Sequence, residues 1–172
     1  DEALELRAAG IHSPIVLLEG VFDAGQLAEA ARHALEIVVH DESQLAWLEA
    51  YSGAHAFKIW LKVDTGMNRL GFRVEAAPEP FEGLDLVLSH LACADDPAEP
   101  MNARQRSAFA AAAARYSGAV RSFANSGGVF LGTDHAFDAT RPGISLYGGG
   151  PEGRPEGRIL PVATLAAEVL QL

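Results

Sequence analysis

Short apolar segments alternate along this chain with stretches in which apolar residues recur at the spacing of a helix. Six apolar segments are predicted to be strands: residues 14–18, 37–40, 57–63, 84–90, 120–125 and 143–147. Helices are predicted between them over residues 23–35, 41–51 and 102–116, with Asp23 and Asn102 as N-caps. Strands that alternate with helices indicate a parallel sheet covered by helices, so the predicted fold class is α/β.

The number of strands leaves the architecture open at this point. A (β/α)8 barrel needs eight strands to close, and six would leave two edges with unpaired backbone groups. Either the chain has another α/β architecture, or two strands lie outside it. Residues 1–10 have the pattern of a helix that ends at a glycine, and a strand should precede such a helix. We therefore expect an internal fragment, with residues 1–150 as a partial α/β domain, 151–158 as a turn-rich linker and 159–172 as the first strand of a further element.

Composition excludes several classes of partner. The formal net charge of -10 argues against nucleic acid and against an anionic membrane, and no long apolar run is present. The single Cys93 allows no internal disulfide and fits a reducing compartment. No zinc site is expected, because there is no second cysteine and the histidines at 12, 33, 40 and 55 lie in different segments. No glycine fingerprint of a dinucleotide-binding fold follows a strand.

The segment of residues 62–72 joins a predicted strand end to a loop that contains two glycines. It places Lys62 at the end of the apolar run and Arg69 seven residues later. Enzymes with parallel sheets carry their chemistry in loops of this kind. The alternative is a surface turn with solvated charges.

A histidine marks the end of the next strand. His90 is the second residue of a predicted loop over residues 89–95. A neutral imidazole there could stack on a flat ligand or accept a hydrogen bond. A structural histidine whose hydrogen bonds are satisfied inside the protein is the alternative.

Two later segments together suit an anion. Ser126 lies in an Asn-Ser-Gly-Gly quartet, whose hydroxyl and accessible backbone could bind an anion or form an ordinary turn. In the segment that begins at Arg141, Gly143 lets its own amide and that of Ile144 approach a ligand. Barrels often bind phosphate at the loops that follow their last strands, so Ser126 with these two amides predicts a phosphate site.

The four blocks resemble the signature blocks of bacterial alanine racemases in order and approximate spacing: residues 62–72, 89–95, 125–128 and 141–148. Residues 6–11 with 14–18 resemble an earlier block. The resemblance implies a (β/α)8 barrel of the TIM type, present here as about six of eight β/α units, with residues 159–172 as the first strand of a C-terminal β-domain. It also implies a cytoplasmic homodimer that interconverts L- and D-alanine through an aldimine of pyridoxal 5'-phosphate (PLP). The D-alanine would serve peptidoglycan synthesis or alanine catabolism.

The resemblance assigns roles to the residues of the first block. Lys62 matches a lysine that is often carbamylated, and its carbamate orients the arginine matched by Arg69. Arg69 is expected to bind the substrate carboxylate, with Asp64 as support. Carbamylation requires a neutral amine, so partial burial near cationic groups should lower the pKa of Lys62.

The other blocks supply the implied cofactor site. His90 and Arg141 are the implied catalytic residues, His90 packing beside the cofactor ring and contacting Arg141, which faces the pyridine nitrogen. An arginine in that place donates a hydrogen bond but does not release a proton, so the ring nitrogen should remain unprotonated. The remaining implied cofactor-binding residues are Ser126, Gly143 and Ile144 at the phosphate, Asn125 beside them, and Leu18 at the edge of the ring.

The two catalytic bases of the family have no match in this chain. One is a lysine on the first barrel strand, whose block is absent, and Lys58 and Lys62 lie in other contexts. The other is a tyrosine from the C-terminal domain of the partner subunit, and no tyrosine here lies in its block. The fragment is therefore expected to be inactive alone. The alternatives are a non-catalytic PLP-binding barrel, a domain without a ligand, or a racemase of serine, lysine or a broad range of amino acids.

Overall fold

The computed structural model describes residues 1–53, 58–151, 157–162, 164 and 166. The helices of this part are α1 Glu2–Ala8, α2 Ala24–Arg32, α3 Glu42–Ala50, α4 Pro100–Ala113, α5 Ser126–Phe130 and α6 Thr133–Ala136. Its strands are β1 Val16–Leu17, β2 Glu36–Val39, β3 Ile59–Asp64, β4 Phe72–Arg73, β5 Leu84–Leu88 and β6 Val120–Ser122. Two 3-10 helices occupy Val74–Ala76 and Ile144–Tyr147.

The strands form one parallel sheet in the order β1-β2-β3-β5-β6, with β4 beside the end of β3. Ile37 pairs with Ile59, Leu61 with Val87 and Leu88 with Ser122, and the pairing of β3 with β5 has one irregularity between Ile59 and Trp60. Because every pairing is parallel, the carboxyl ends of the strands lie at the same edge of the sheet. The loops that follow the strands therefore meet at that edge.

Both faces of the sheet carry buried apolar side chains, as is typical of a parallel sheet. Side chains on one face pack with α2 and α4 in the main core, which includes Leu27, Ile37, Leu61, Val87 and Phe109. The opposite face carries a smaller cluster of Val38, Leu86 and Leu88, with Val16 and Trp60 packed against it. This alternation follows from the two-residue period of a strand.

Most of the predicted elements are confirmed. The first five predicted strands correspond to β1, β2, β3, β5 and β6, although Phe57 lies outside the described residues. The predicted helices at residues 1–10, 23–35 and 41–51 correspond to α1, α2 and α3. The N-cap prediction for Asp23 is confirmed, because its carboxylate accepts a hydrogen bond from the Gln26 amide at 2.8 Å.

The prediction of a strand at residues 143–147 is wrong. Ile144–Tyr147 is a 3-10 helix, closed by hydrogen bonds from the Leu146 amide to the Gly143 carbonyl and from the Gly148 amide to the Ser145 carbonyl. Gly148 then ends the turn with a left-handed φ of 90°, which a glycine adopts without strain. The alternation of apolar and small residues in this segment is typical of a strand, which is why the sequence predicted one.

The start of α4 also differs from the prediction. Glu99 is the N-cap, and Pro100 occupies the first turn, where its missing amide needs no partner. Asn102 lies inside the helix and donates from its side chain to the carbonyls of Cys93 and Asp96. The helix ends at Ala113 rather than at residue 116.

Little of the predicted C-terminal strand is described. Residues 159–162 adopt no strand, and most of residues 163–172 lies outside the described part of the chain. The same is true of most of the predicted linker at 151–158.

The loop between β3 and β4 is built around one carboxylate. Asp64 accepts hydrogen bonds from three successive backbone amides, those of Gly66, Met67 and Asn68, at 2.9, 2.9 and 3.2 Å. The chain then folds back so that β4 pairs with the last residues of β3. Gly71 makes this return possible, because it has a φ of 127° and a Cβ there would lie 2.7 Å from the Asp64 nitrogen.

We predict that Gly71→Ala destabilises the protein by about 3 kcal/mol, because it combines a left-handed φ with a clash against backbone. The control is Gly10→Ala, where φ is also positive but a Cβ would meet no atom within 4 Å. That control should cost about 1 kcal/mol. Urea unfolding of the two variants measures the difference, and equal losses would contradict this interpretation of the loop.

Candidate active site

The strand-end loops surround a cleft of about 1100 Å³. Polar side chains and backbone from the loops after β1, β3, β5 and β6 reach into it. The structure brings together every residue that the sequence analysis assigned to binding or catalysis: Leu18, Lys62, Arg69, His90, Asn125, Ser126, Arg141, Gly143 and Ile144. Their roles remain predictions, but their convergence on one cleft is a property of the fold.

Arg141 is held at the floor of the cleft by the ends of two strands. Its Nη1 donates to the Ser122 hydroxyl and its Nη2 donates to the Ser89 carbonyl, each at 2.5 Å. Its backbone amide donates to the Ala124 carbonyl at 2.9 Å. Burial lowers the pKa of Arg141 to about 10, so the guanidinium is still charged at neutral pH. The guanidinium thus donates to the carbonyl of Ser89, the residue before His90. The sequence had predicted a contact with His90 itself.

His90 is a neutral imidazole at physiological pH. Burial lowers its pKa to about 4, and the positive charges of Arg141, Arg69 and Lys62 act in the same direction. The ring Nε2 lies 3.4 Å from the side-chain nitrogen of Asn125. A neutral imidazole can accept a hydrogen bond or stack on a ligand, but it offers no positive charge to an anionic substrate.

Lys62 has the lowered pKa that the sequence analysis expected. The residue is only 8 % exposed, and burial is the largest cause of the shift. The charges of Arg69 and Arg141 lower the pKa further, while Asp64 and Glu19 oppose the shift. The carboxylate of Asp64 itself is engaged with the loop amides, so it supports Arg69 by fixing the loop that carries it.

Hydrogen-bond donors gather around the start of α5. The Ser126 hydroxyl accepts hydrogen bonds from the amides of Gly143 at 2.8 Å and Ser145 at 3.2 Å. Asn125 caps the helix by accepting from the Gly128 amide at 2.9 Å. A Cβ on Gly143 would meet no atom within 4 Å, so the space on that side of its Cα is open. The arrangement offers a hydroxyl and backbone amides to an anion.

Other residues of the cleft were not predicted from the sequence. Glu19 and Phe22 follow β1, and His40 follows β2 with its Nε2 at 2.9 Å from the Glu19 carbonyl. The same signal that singled out His90, a polar residue directly after a strand, applies to His40 and to Glu19. Ser89 binds Arg141 through its carbonyl and Ser122 binds it through its hydroxyl. Neither contact could be predicted, since a serine near a strand end is common in any sheet.

The described residues contain no group of three or more His, Cys, Asp or Glu side chains arranged to hold a metal ion. Among the same residues, no helix combines the length and the apolar character needed to cross a membrane.

Comparison with known proteins gives consistent results. Residues 1–151 match the family described as "Alanine racemase, N-terminal domain". The alanine racemase of Azoarcus sp. (strain BH72) is 42% identical over 178 residues, covering 99% of this chain and 50% of that protein. The chain spans about half the length of the curated relatives that it matches.

Solved structures agree with the sequence relatives. The biosynthetic alanine racemase of Pseudomonas aeruginosa is 34% identical with a TM-score of 0.78, covering 87% of this chain and 44% of that one. The alanine racemase of Bartonella henselae, described with covalently bound pyridoxal phosphate, is 31% identical with a TM-score of 0.74, covering 93% and 49%. This likeness confirms the predicted barrel class, of which the parallel sheet here is a part.

We predict that His90 titrates near pH 4 rather than at its ordinary value of 6.5. The pKa is lowered in the folded state, so between these values the unfolded state binds a proton that the folded state does not. The contribution of His90 to stability is therefore present above pH 6.5 and is lost as the pH falls towards 4. NMR of 13C-labelled histidine rings measures the midpoint, with the His90→Gln variant to assign the signal. A midpoint at or above 6.5 would contradict the burial of this ring.

Proposed function

The chain belongs to the family of alanine racemase N-terminal domains, and on that premise we propose that it forms the cofactor-binding barrel part of an amino-acid racemase that acts on alanine. The observation that carries the proposal is the single cleft in which Arg69, Arg141, His90 and Ser126 converge. Recognition of an amino acid and an anionic cofactor needs cationic groups and backbone donors in one place, and this cleft supplies both.

The residues of the cleft fit pyridoxal 5'-phosphate. Its phosphate would lie beside the open space at the Gly143 Cα, bound by the Ser126 hydroxyl and the Ile144 amide. The Gly143 amide, which donates to the Ser126 hydroxyl, would share its hydrogen bond with the phosphate. Arg141 and His90 would face its ring. The bound PLP described for the Bartonella henselae relative supports this cofactor. When bound, PLP supplies the electron sink that makes the Cα proton of an amino acid acidic.

Arg141 determines how strongly that sink acts. A guanidinium with a pKa of about 10 donates hydrogen bonds at neutral pH and gives up no proton. An arginine that faces the ring nitrogen would therefore leave it unprotonated. This weaker sink would favour rapid return of a proton to Cα over side reactions, which suits a racemase.

Arg69 and Lys62 would form the substrate side of the site. Arg69 is expected to bind the substrate carboxylate, for which a guanidinium offers paired donors. The lowered pKa of Lys62 favours the neutral amine that carbamylation requires. A carbamate in its place would turn a cation beside Arg69 and Arg141 into an anion, so repulsion between these groups would become attraction.

The chain alone is proposed to be inactive. Neither of the two bases that the family uses has a matching block here, and the chain spans about half the length of its relatives. The missing tyrosine would come from the partner subunit, so we propose a homodimer for the complete protein. We place it in the cytoplasm, supplying D-alanine for peptidoglycan or consuming it in catabolism. Serine, lysine or a broad range of amino acids are the alternative substrates.

We predict that the full-length protein interconverts L- and D-alanine, and that Arg69→Gln raises its KM for alanine at least about tenfold by removing the carboxylate ligand. Arg104→Gln is the control, since Arg104 is exposed and its contacts with Glu99 and Met101 lie at the surface of α4. A D-alanine assay measures both variants, with residues 1–172 alone as the inactive reference. Formation of D-alanine by residues 1–172 would contradict the proposed division of the site, and an inactive full-length protein would contradict the function.

We predict that Ser126→Ala weakens PLP binding about tenfold, because a charge-assisted hydrogen bond to the phosphate is lost. Ser145→Ala is a matched control, since its backbone amide still points at residue 126 and its hydroxyl bonds to the Gly149 carbonyl instead. PLP absorbance titration of the full-length protein measures both affinities. Equal effects of the two substitutions would remove Ser126 from the phosphate site.

A further inference from the structure

The backbone that carries His90 lies just beyond the end of β5, where the strand ladder stops. The last pairing of β5 with β6 joins Leu88 to Ser122. Beyond it, one backbone bond remains, from the Ser89 amide to the Ser122 carbonyl at 3.2 Å. The polar groups of residues 89–92 must therefore find partners other than a neighbouring strand.

Side chains from three separate segments supply those partners. Arg141 donates to the carbonyl of Ser89, and Asn125 donates to that of Leu91 at 3.3 Å. The carbonyl of His90 and the amide of Ala92 are both bound by Gln105, each at 2.9 Å. One side-chain amide thus satisfies two backbone groups that flank a single residue, as a neighbouring strand would do.

Gln105 lies on α4 behind this segment rather than in the cleft. Its side chain is fully buried, at 0% exposure. Its Nε2 also lies 3.4 Å from the Thr65 hydroxyl, which in turn lies 2.8 Å from the hydroxyl of Ser89. Through Thr65 and Ser89, the glutamine is linked to the loop after β3 and to the carbonyl that binds Arg141.

We propose that Gln105 is a positioning residue, which replaces the missing strand partner beyond β5 and so fixes the orientation of His90 and, through Ser89, of Arg141. The roles of His90 and Arg141 in catalysis rest on the proposed function. The positioning itself rests on the hydrogen bonds alone.

The chemistry of the site requires a glutamine. The side chain must reach from α4 to the 89–92 segment. Its end must carry a donor for the His90 carbonyl and an acceptor for the Ala92 amide. Asparagine is one methylene too short, and glutamate has no donor and would bury a charge. Methionine matches the volume but leaves both backbone groups without partners.

The chain contains a matched control in Gln44 of α3. Gln44 is 3% exposed and also binds backbone with its side chain, donating to the carbonyls of Glu19 and Val21 and accepting from the His40 amide. It supports the loop after β1 instead of the segment at His90. Gln44→Met should therefore lower stability like Gln105→Met without disturbing the His90 ring.

The test is the titration of His90 in full-length protein carrying Gln105→Met or Gln44→Met. Release of the 89–92 segment should let water reach the imidazole, so the midpoint of His90 should rise by about one pH unit in Gln105→Met. The charges that act on the ring, Arg141, Arg69 and Lys62, are unchanged in both variants. Gln44→Met should leave the midpoint where it is in the wild type.

Kinetics of alanine racemisation give a second readout. Gln105→Met should lower kcat about tenfold with less change in KM, because Arg69 keeps its own loop while His90 and Arg141 lose their orientation. If Gln105→Met does not fold, Gln105→Asn tests the same point, since its shorter amide cannot reach both backbone groups. The same rise in the His90 midpoint is expected.

The outcomes separate the two proposals. An unchanged His90 midpoint in the Gln105 variant that folds, despite a loss of stability equal to that of Gln44→Met, overturns the positioning role. A shift of equal size in Gln44→Met overturns it as well, because the effect would then be general loosening. An inactive wild-type protein counts against the proposed function, while the His90 titration still decides the role of Gln105.

Discussion

The structure of this cleft depends on the binding of a partly buried guanidinium by the ends of two parallel strands. Arg141 donates to the Ser89 carbonyl after β5 and to the Ser122 hydroxyl at the end of β6, so it bridges the strands where their ladder stops. Burial lowers its pKa to about 10 without removing its charge at neutral pH. The floor of the cleft therefore carries a fixed positive charge, which affects the pKa values of the neighbouring groups.

Burial, together with the charges of Arg141 and Arg69, lowers the pKa of the other groups. His90 remains neutral and Lys62 has a lowered pKa, since each would add a further positive charge to a desolvated cluster. The end of the cleft where we propose that the phosphate binds is built differently, from the Ser126 hydroxyl and the backbone around Gly143. One part of the cleft thus offers cationic side chains, and the other offers a hydroxyl and backbone amides. We propose that the first binds the amino acid and the second binds the phosphate.

The sequence was sufficient for features that depend on local patterns. The apolar runs of β2 and β3 and the cap at Asp23 could be predicted because burial and capping act over a few residues. The convergence of the strand-end loops followed from parallel topology. The two-residue β4 could not be predicted, since it exists only because the loop after Asp64 folds back. The burial of Gln105 could not be predicted either, because a glutamine on a helix normally faces water and only the tertiary structure shows its buried partners.

The central claim is that this cleft holds PLP with its ring against Arg141 and its phosphate at Ser126. A crystal structure of the full-length protein grown with PLP tests it most directly. We expect the Arg141 guanidinium within hydrogen-bonding distance of the pyridine nitrogen, and the phosphate on the Ser126 hydroxyl and the amides at 143 and 144. A cofactor bound elsewhere, or with its phosphate on Arg69, would contradict the account.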